Sequence, residues 1–175
     1  SLLSKAGFSK GKGLPSITLV YNTDQTHRLV AEYIQDQWSR HLNVKVELAS
    51  QEWKVFLSRL KTDPPQIFRL GWGADFPDPD NFMNLFLSSS GNNHLNWSHL
   101  EYDQLVDRAA LERDPTVRKE LYDRAQRILT ESEAVIIPLF ITAKNLLVKP
   151  YINGLELNAL DQIFWKRISF LNPVG

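Results

Sequence analysis

The chain has 175 residues, 43% hydrophobic and 23% charged, with 20 Lys and Arg balanced by 20 Asp and Glu. This is an ordinary globular composition, long enough to bury a proper core; zero formal net charge and scattered basic residues argue against a nucleic-acid or anionic-membrane partner. The absence of cysteine excludes disulfides, thiolate metal sites and a Cys nucleophile, and the longest apolar run, residues 134–141, is too short for a membrane span and is interrupted by Pro138.

Leu2 and Leu3 read as the end of a helix closed by Gly7, and a chain that opens inside a helix is expected to be part of a longer protein. No signal peptide is visible. After a Gly/Lys/Pro loop, residues 16–21 alternate as a strand, with Ile17, Leu19 and Tyr21 on one side and Thr18 and Val20 on the other. Asn22, Thr23 and Asp24 offer N-cap oxygens. Val30, Ile34, Trp38 and Leu42 then recur at helical spacing, with Leu29 and Tyr33 widening the stripe and Asn43 ending it. Val44, Val46 and Leu48 alternate as a second strand, so a parallel βαβ unit is expected. Ser50 is the expected cap of a helix bearing Trp53, Phe56, Leu57 and Leu60, stopped by Asp63-Pro64-Pro65.

Residues 67–72 form a predicted third strand. The stretch after it holds Gly71, Gly73, Pro77, Pro79, Asp75, Asp78 and Asp80, and leads into a short helix with Phe82, Met83, Leu85 and Phe86. A polar loop, residues 88–93, precedes a helix from about Glu101 (Leu105, Val106, Ala109). Asp114-Pro115 starts another, running to about Glu131 with Val117, Leu121, Ala125 and Ile128 inward. Residues 134–141 read as a buried strand at an edge or bulge, and residues 145–148 and 163–170 as further strands. The sum is an α/β layered domain.

Catalytic signatures are missing. His27 and His41 read as surface or helix-end residues, and His94 and His99 lie five apart with no third metal ligand at hand. There is no G-x-S-x-G, P-loop or G-x-G-x-x-G. Counted from Asp75, the sixth and twelfth positions of a calcium loop would be Asp80 and Phe86, which fails the EF-hand pattern. Asp78 and Asp80 read as turn and N-cap residues. Asp75 follows a strand end, where parallel α/β sheets bind ligands. Flanked by Trp72 and Phe76, its carboxylate can pair with a ligand ammonium, or it can be a plain turn residue.

The run R-L-G-W-G-A-D-F-P-D-P at residues 69–79 resembles the R-x-G-W-x-A-D-[YF]-x-[DE]-P segment of the family 5 solute-binding proteins, the oligopeptide- and dipeptide-binding proteins of ABC importers. The likeness continues in order through Asn92-Asn93 with Trp97, Tyr102-Asp103 with Leu105, Asp114 with Arg118, Leu121, Tyr122 and Ala125, and Ile136-Ile137-Pro138-Leu139. Upstream, Lys5-Ala6-Gly7-Phe8, Gly13-Leu14-Pro15 and residues 19–23 fit too.

The resemblance implies a type II periplasmic-binding-protein lobe, with βαβ units and a mixed, mostly parallel sheet flanked by helices. Residues 1–162 would be the C-terminal ligand-binding lobe of a two-lobed clamshell, and residues 163–175 a final strand returning to a missing N-terminal lobe. It implies peptide capture for delivery to ABC permease subunits, no enzyme activity, no cofactor or metal, and no nucleic acid. The location would be the periplasm or the cell envelope, with a lipid anchor as one route to the latter.

By position, Asp75 would hold the peptide α-ammonium, Arg69 would meet a ligand carboxylate, and the Gly71 and Gly73 backbone would pair with an extended peptide. Trp72 would line a side-chain pocket or pack in the core. Asn92 and Asn93 would order a loop over the cleft or form an Asn-rich turn. A family member that binds a sugar, metal chelate or haem is the alternative reading; a carbohydrate-binding module using aromatic platforms and a hydrolase using clustered Asp are the rivals from other classes.

Overall fold

In the computed structural model, which describes residues 2–158 and 160–171, the first alternating segment is a strand whose two faces enter different cores. The chain forms two compact units, Ser1–Gly71 and Trp72–Gly175. The first opens with a single helical turn, α1 (Leu2–Lys5), followed by Gly7 at φ +89°. Strand β1 (Ile17–Asn22) then sends Leu19 and Tyr21 to one side, against Ala31, Val44 and Val46, and Val20 to the other, against Phe56 and Leu60. All eight are buried, so the sheet is covered on both faces, as parallel strands require.

Helix α2 (Gln25–Leu42) starts where the Asp24 carboxylate accepts from the backbone N–H groups of Thr26 (2.8 Å) and His27 (3.1 Å). It ends at Asn43, in the left-handed region at φ +54°. Its inward ridge is Ala31, Ile34 and Trp38. The expected widening by Leu29 and Tyr33 is corrected: they are 59% and 65% exposed. Ala31 is small enough to bring the helix onto the sheet, and this contact turns the Leu29/Tyr33 ridge to solvent.

Strand β2 (Val46–Gln51) runs beyond the expected segment because β1 offers a partner along its whole length, from Ile17 opposite Val46 to Asn22 opposite Gln51. Ser50 therefore lies in the strand, and the expected Ser50 cap is replaced by Glu52. Its carboxylate accepts from Lys54 N (2.8 Å) and Val55 N (3.3 Å) at the start of α3 (Trp53–Thr62). Phe56 and Leu60 are buried as expected, while Trp53 is half-exposed. Strand β3 (Ile67–Arg69), shorter than expected, pairs with the other edge of β1. The sheet is parallel in the order β2-β1-β3.

The second unit is a helical cluster. It holds α4 (Asp80–Met83) with a 3-10 turn after it, α5 (Leu100–Leu111), and α6 (Pro115–Arg127), which continues as a π turn to Ser132. The Asp114 carboxylate caps α6 through Thr116 N (2.8 Å) and Val117 N (3.1 Å). His99 Nδ1 caps α5, accepting from Tyr102 N at 3.2 Å. Tyr102, Leu105, Val106 and Ala109 of α5 meet Leu121, Tyr122 and Ala125 of α6, together with Ile128, Leu129 and Met83. Val117, expected inward, sits in the first turn beyond the end of this core and is 39% exposed.

The expected strands over 134–141 and 145–148 do not form. Val135 and Ile136 pack on the helical core, but Ile137, Leu139, Phe140, Ile141 and Leu147 are exposed. Their apolar, β-branched composition is that of a strand, yet no edge among the described residues pairs with them. The expected strand over 163–170 is also broken up. Ile163 bridges Leu157, Trp165–Arg167 is a 3-10 turn, and only β5 (Ser169–Phe170) pairs, antiparallel, with β4 (Ile152–Asn153). Gly154, at φ +75°, is required here: a Cβ would lie 2.0 Å from the Arg167 carbonyl oxygen. Residues 172–175 of the expected final segment lie outside the described residues. No helix among the described residues is long and apolar enough to cross a membrane.

Candidate functional site

In the first unit, the connection from β1 to β2 leads to one side of β1, and β3 lies on the other. The strand order thus reverses at the carboxyl end of β1, which is where open α/β sheets bind ligands. Arg69 closes β3 at this end, directly opposite Tyr21. It is half-buried; burial lowers its guanidinium's hold on its proton, and the Asp24 carboxylate opposes that. An Arg remains charged through such a shift, so it is a fixed cation. Asp24 is occupied as a helix cap, and the His27 backbone N–H holds its carboxyl below the ordinary carboxylate value.

His27 Nε2 stands 4.0 Å from Asp24 Oδ1, while its Nδ1 is buried without a hydrogen-bond partner, as is Gln51 Oε1 at the end of β2. Buried polar atoms are normally paired, and these two lie at the carboxyl end of the sheet. Sequence reading set His27 aside as a surface residue; only the burial of its Nδ1 distinguishes it. Gly71 needs no special backbone angle, and a Cβ there would meet nothing nearer than Arg69 Nη1 at 3.9 Å.

In the second unit, the Asp-rich stretch is a loop tied down at two points. Trp72 Nε1 donates to Asn81 Oδ1 at 2.9 Å, and Asn81 is 4% exposed, the one buried polar residue among those described. Trp72 therefore anchors the loop by its indole N–H while its ring stays half-exposed. The second tie is Asp78. Its two oxygens accept from Arg118 Nη2 (2.8 Å) and Nη1 (3.0 Å), and Oδ1 also accepts from Asp80 N (2.8 Å). The Arg118 hydrogen bonds hold the Asp78 carboxyl below its ordinary value. Asp80 accepts from Tyr122 Oη (3.2 Å) and from Asn84 Nδ2 (3.2 Å). Burial, reinforced by Asp80, pushes the Tyr122 hydroxyl up to about 12.

Asp78 and Asp80 are thus consumed by internal hydrogen bonds. Asp75 is not: it is exposed and has no hydrogen bond or ion pair among the described residues. A Cβ on Gly73 would meet nothing within 4 Å and its φ is not positive, so neither packing nor conformation demands glycine there. Asn92 is exposed, with only its backbone N–H bonded to Ser90 Oγ (3.3 Å). Its neighbour Asn93 organises the loop: Nδ2 donates to the carbonyls of Trp97 (2.8 Å), Leu87 (3.2 Å) and Phe86 (3.4 Å), and Oδ1 accepts from Leu95 N (3.2 Å). Sequence reading missed the Asp78–Arg118–Tyr122–Asp80 network. Its one visible trace is that Arg118 and Tyr122 are four apart on one helix face. Among the described residues no group of three His, Asp or Glu side chains is placed to hold a metal ion.

The first unit thus places Arg69 at the carboxyl end of its parallel sheet, and the second holds Asp75 on a loop tied down through Trp72 and Asp78. Residues 1–94 match the family "Bacterial extracellular solute-binding proteins, family 5 Middle". The chain is 33% identical over 169 residues to the oligopeptide-binding protein OppA of Bacillus subtilis, across 96% of this chain and 31% of that protein. Two solved structures superpose over 97% of the chain and 33% of their own. The Escherichia coli murein tripeptide-binding protein MppA has a TM-score of 0.87 at 30% identity. Haemophilus influenzae OppA in complex with RPPGFSPFR has a TM-score of 0.84 at 31% identity. The chain belongs to the family 5 bacterial extracellular solute-binding proteins and has their type II periplasmic-binding-protein fold. It spans about a third of the length of these relatives.

Proposed function

We propose that this chain is the C-terminal lobe of a peptide-capturing component of an ABC importer, with Asp75 as the anchor for the peptide α-ammonium. The observation that carries this is the division of labour among the three aspartates: Asp78 and Asp80 are spent on the protein, and Asp75 alone remains free. An exposed carboxylate on a tethered loop suits a charge-assisted hydrogen bond that fixes the register of a ligand read otherwise through its backbone. The open surroundings of Gly71 and Gly73 suit the close approach of that backbone.

Arg69, at the carboxyl end of β3 in the first unit, is the cation for a peptide carboxylate or a side-chain anion. Asn92 contributes a polar rim. In the complete protein a first lobe supplies the facing half of the cleft. The complete protein works outside the cytoplasmic membrane, in the periplasm or held to the envelope by a lipid anchor. It hands its peptide to membrane permease subunits and carries out no chemistry of its own.

The test is calorimetric titration of the complete protein with a tripeptide mixture and with the same mixture N-acetylated. Tight binding of the free-amine set alone is expected. Equal binding of both sets removes the role of Asp75, and binding of neither points to another ligand class, sugars or metal chelates first.

A further inference from the structure

The Asp78–Arg118 pair links the loop that carries Asp75 to a distant part of the second unit. The loop's fixed points are Trp72, through Asn81, and Asp78, through Arg118. Between them Gly73, Ala74, Asp75 and Phe76 have no side-chain hydrogen bond to the rest of the unit. Pro77 and Pro79 limit the backbone freedom on either side of Asp78. The position of the Asp75 carboxylate is therefore set by two ties, one of which is ionic.

Arg118 is built for this. Its Nε donates to the Ala109 carbonyl in the last turn of α5 (3.0 Å), its two Nη atoms take both oxygens of Asp78, Nη2 also donates to Tyr122 Oη (3.2 Å), and the guanidinium lies 5.0 Å from the centre of the Tyr122 ring. One planar cation joins α5, α6 and the loop. A lysine ammonium cannot reproduce this fork, because its point charge cannot hold two parallel bonds while also meeting a carbonyl on its other side.

We infer that Arg118 is a positioning residue for ligand recognition, acting through Asp78 to pre-organise the Asp75 carboxylate. This rests on the reading of Asp75 as the ammonium anchor. Without the fork, the loop keeps its Trp72–Asn81 tie but loses the fixed point three residues from Asp75. The ligand then has to order the carboxylate as it binds, and affinity falls through that ordering rather than through a lost contact.

The experiment is a double-mutant cycle in the complete protein. The variants are Arg118→Gln, Asp75→Asn and the pair, each titrated with trialanine and with N-acetyl-trialanine. The free-amine peptide is expected to bind the parent at least tenfold more tightly than the acetylated one. Arg118→Gln is expected to cut that preference about fivefold to tenfold, to change the acetylated peptide less than twofold, and to have no further effect once Asp75 is Asn. Arg118→Lys is expected to lie near Arg118→Gln. If Arg118→Gln does not fold, Asp78→Asn, which leaves Arg118 in place and weakens the same tie, is read in the same way with a smaller expected loss.

A parent that shows no preference for the free amine overturns the reading of Asp75, and this inference with it. A parent with the preference, whose Arg118→Gln variant keeps it unchanged or loses affinity for both peptides equally, overturns the positioning role alone and leaves Asp75 as the anchor.

Discussion

Tyr102 joins the helical core to the short helix that closes the candidate loop, and removing its hydroxyl isolates one interaction. The ring is fully buried, edge-on to Trp97 with centroids 5.1 Å apart, and its Oη donates to the Met83 carbonyl at 2.5 Å. Burial, with the Asp103 carboxylate adding, raises the phenol well above its ordinary value, so it stays a donor at every working pH. Tyr102→Phe keeps the ring and the packing but leaves the Met83 carbonyl without this partner. A buried acceptor stripped of its donor costs about 1–2 kcal/mol net, a change of roughly 5- to 30-fold in the folded-to-unfolded ratio. Tyr102→Ala also removes the ring and is expected to cost about 3–5 kcal/mol.

Urea titration followed by tryptophan fluorescence reads the effect, because Trp97 lies against the altered ring. The midpoint should fall with the slope unchanged, and the fall for Phe should be about a third of that for Ala. A Tyr102→Phe midpoint equal to that of the parent would refute the argument, since it would mean that packing alone holds α4 to α5.

Other expectations follow from the same network and its neighbours. The Asp78 carboxyl is held below its ordinary value of 3.8 by Arg118, so its contribution to stability is complete above the unfolded value and is lost as pH falls through the lower folded one. With the two side chains 33% and 25% exposed, screening limits that loss to under about 1 kcal/mol. Melting curves between pH 5 and pH 2 should show a steeper decline for the parent than for Asp78→Asn. Asn93→Ala removes the donor to the Trp97, Leu87 and Phe86 carbonyls and should cost about 1–2 kcal/mol, with faster amide exchange over residues 88–97. Arg69→Ala in the complete protein should weaken peptides with a free C-terminal carboxylate more than their amidated forms; an equal loss for both would assign Arg69 to packing.

Much of the fold was legible from local chemistry. The strand character of β1 follows from its alternation, the α2 and α6 caps from Asp24 and from Asp114-Pro115, and the end of α2 from Asn43. Each depends on neighbours within a few residues, which the sequence displays directly. The errors have a common cause. Ser50 yielded to Glu52 because β1 set how far β2 extends, and Leu29 and Tyr33 turned outward because Ala31 chose the contact face. Residues 134–141 and 145–148 have strand composition without a strand, because a strand is completed by the edge it pairs with, and no edge among the described residues meets them.

The candidate site divides along the same line. At residues 69–79, strand-end and turn chemistry left Asp75 open between an ammonium partner and a turn residue, and the family resemblance is what singled out Asp75 and Arg69. Which of the three aspartates is free was not decidable from spacing, since Asp75, Asp78 and Asp80 are all plausible turn residues. That was decided by α6, which brings Arg118 and Tyr122, about 40 residues further along the chain, onto Asp78 and Asp80 and leaves Asp75 exposed. A charge is spent or available only relative to its partners, and partners distant in sequence are assigned by packing.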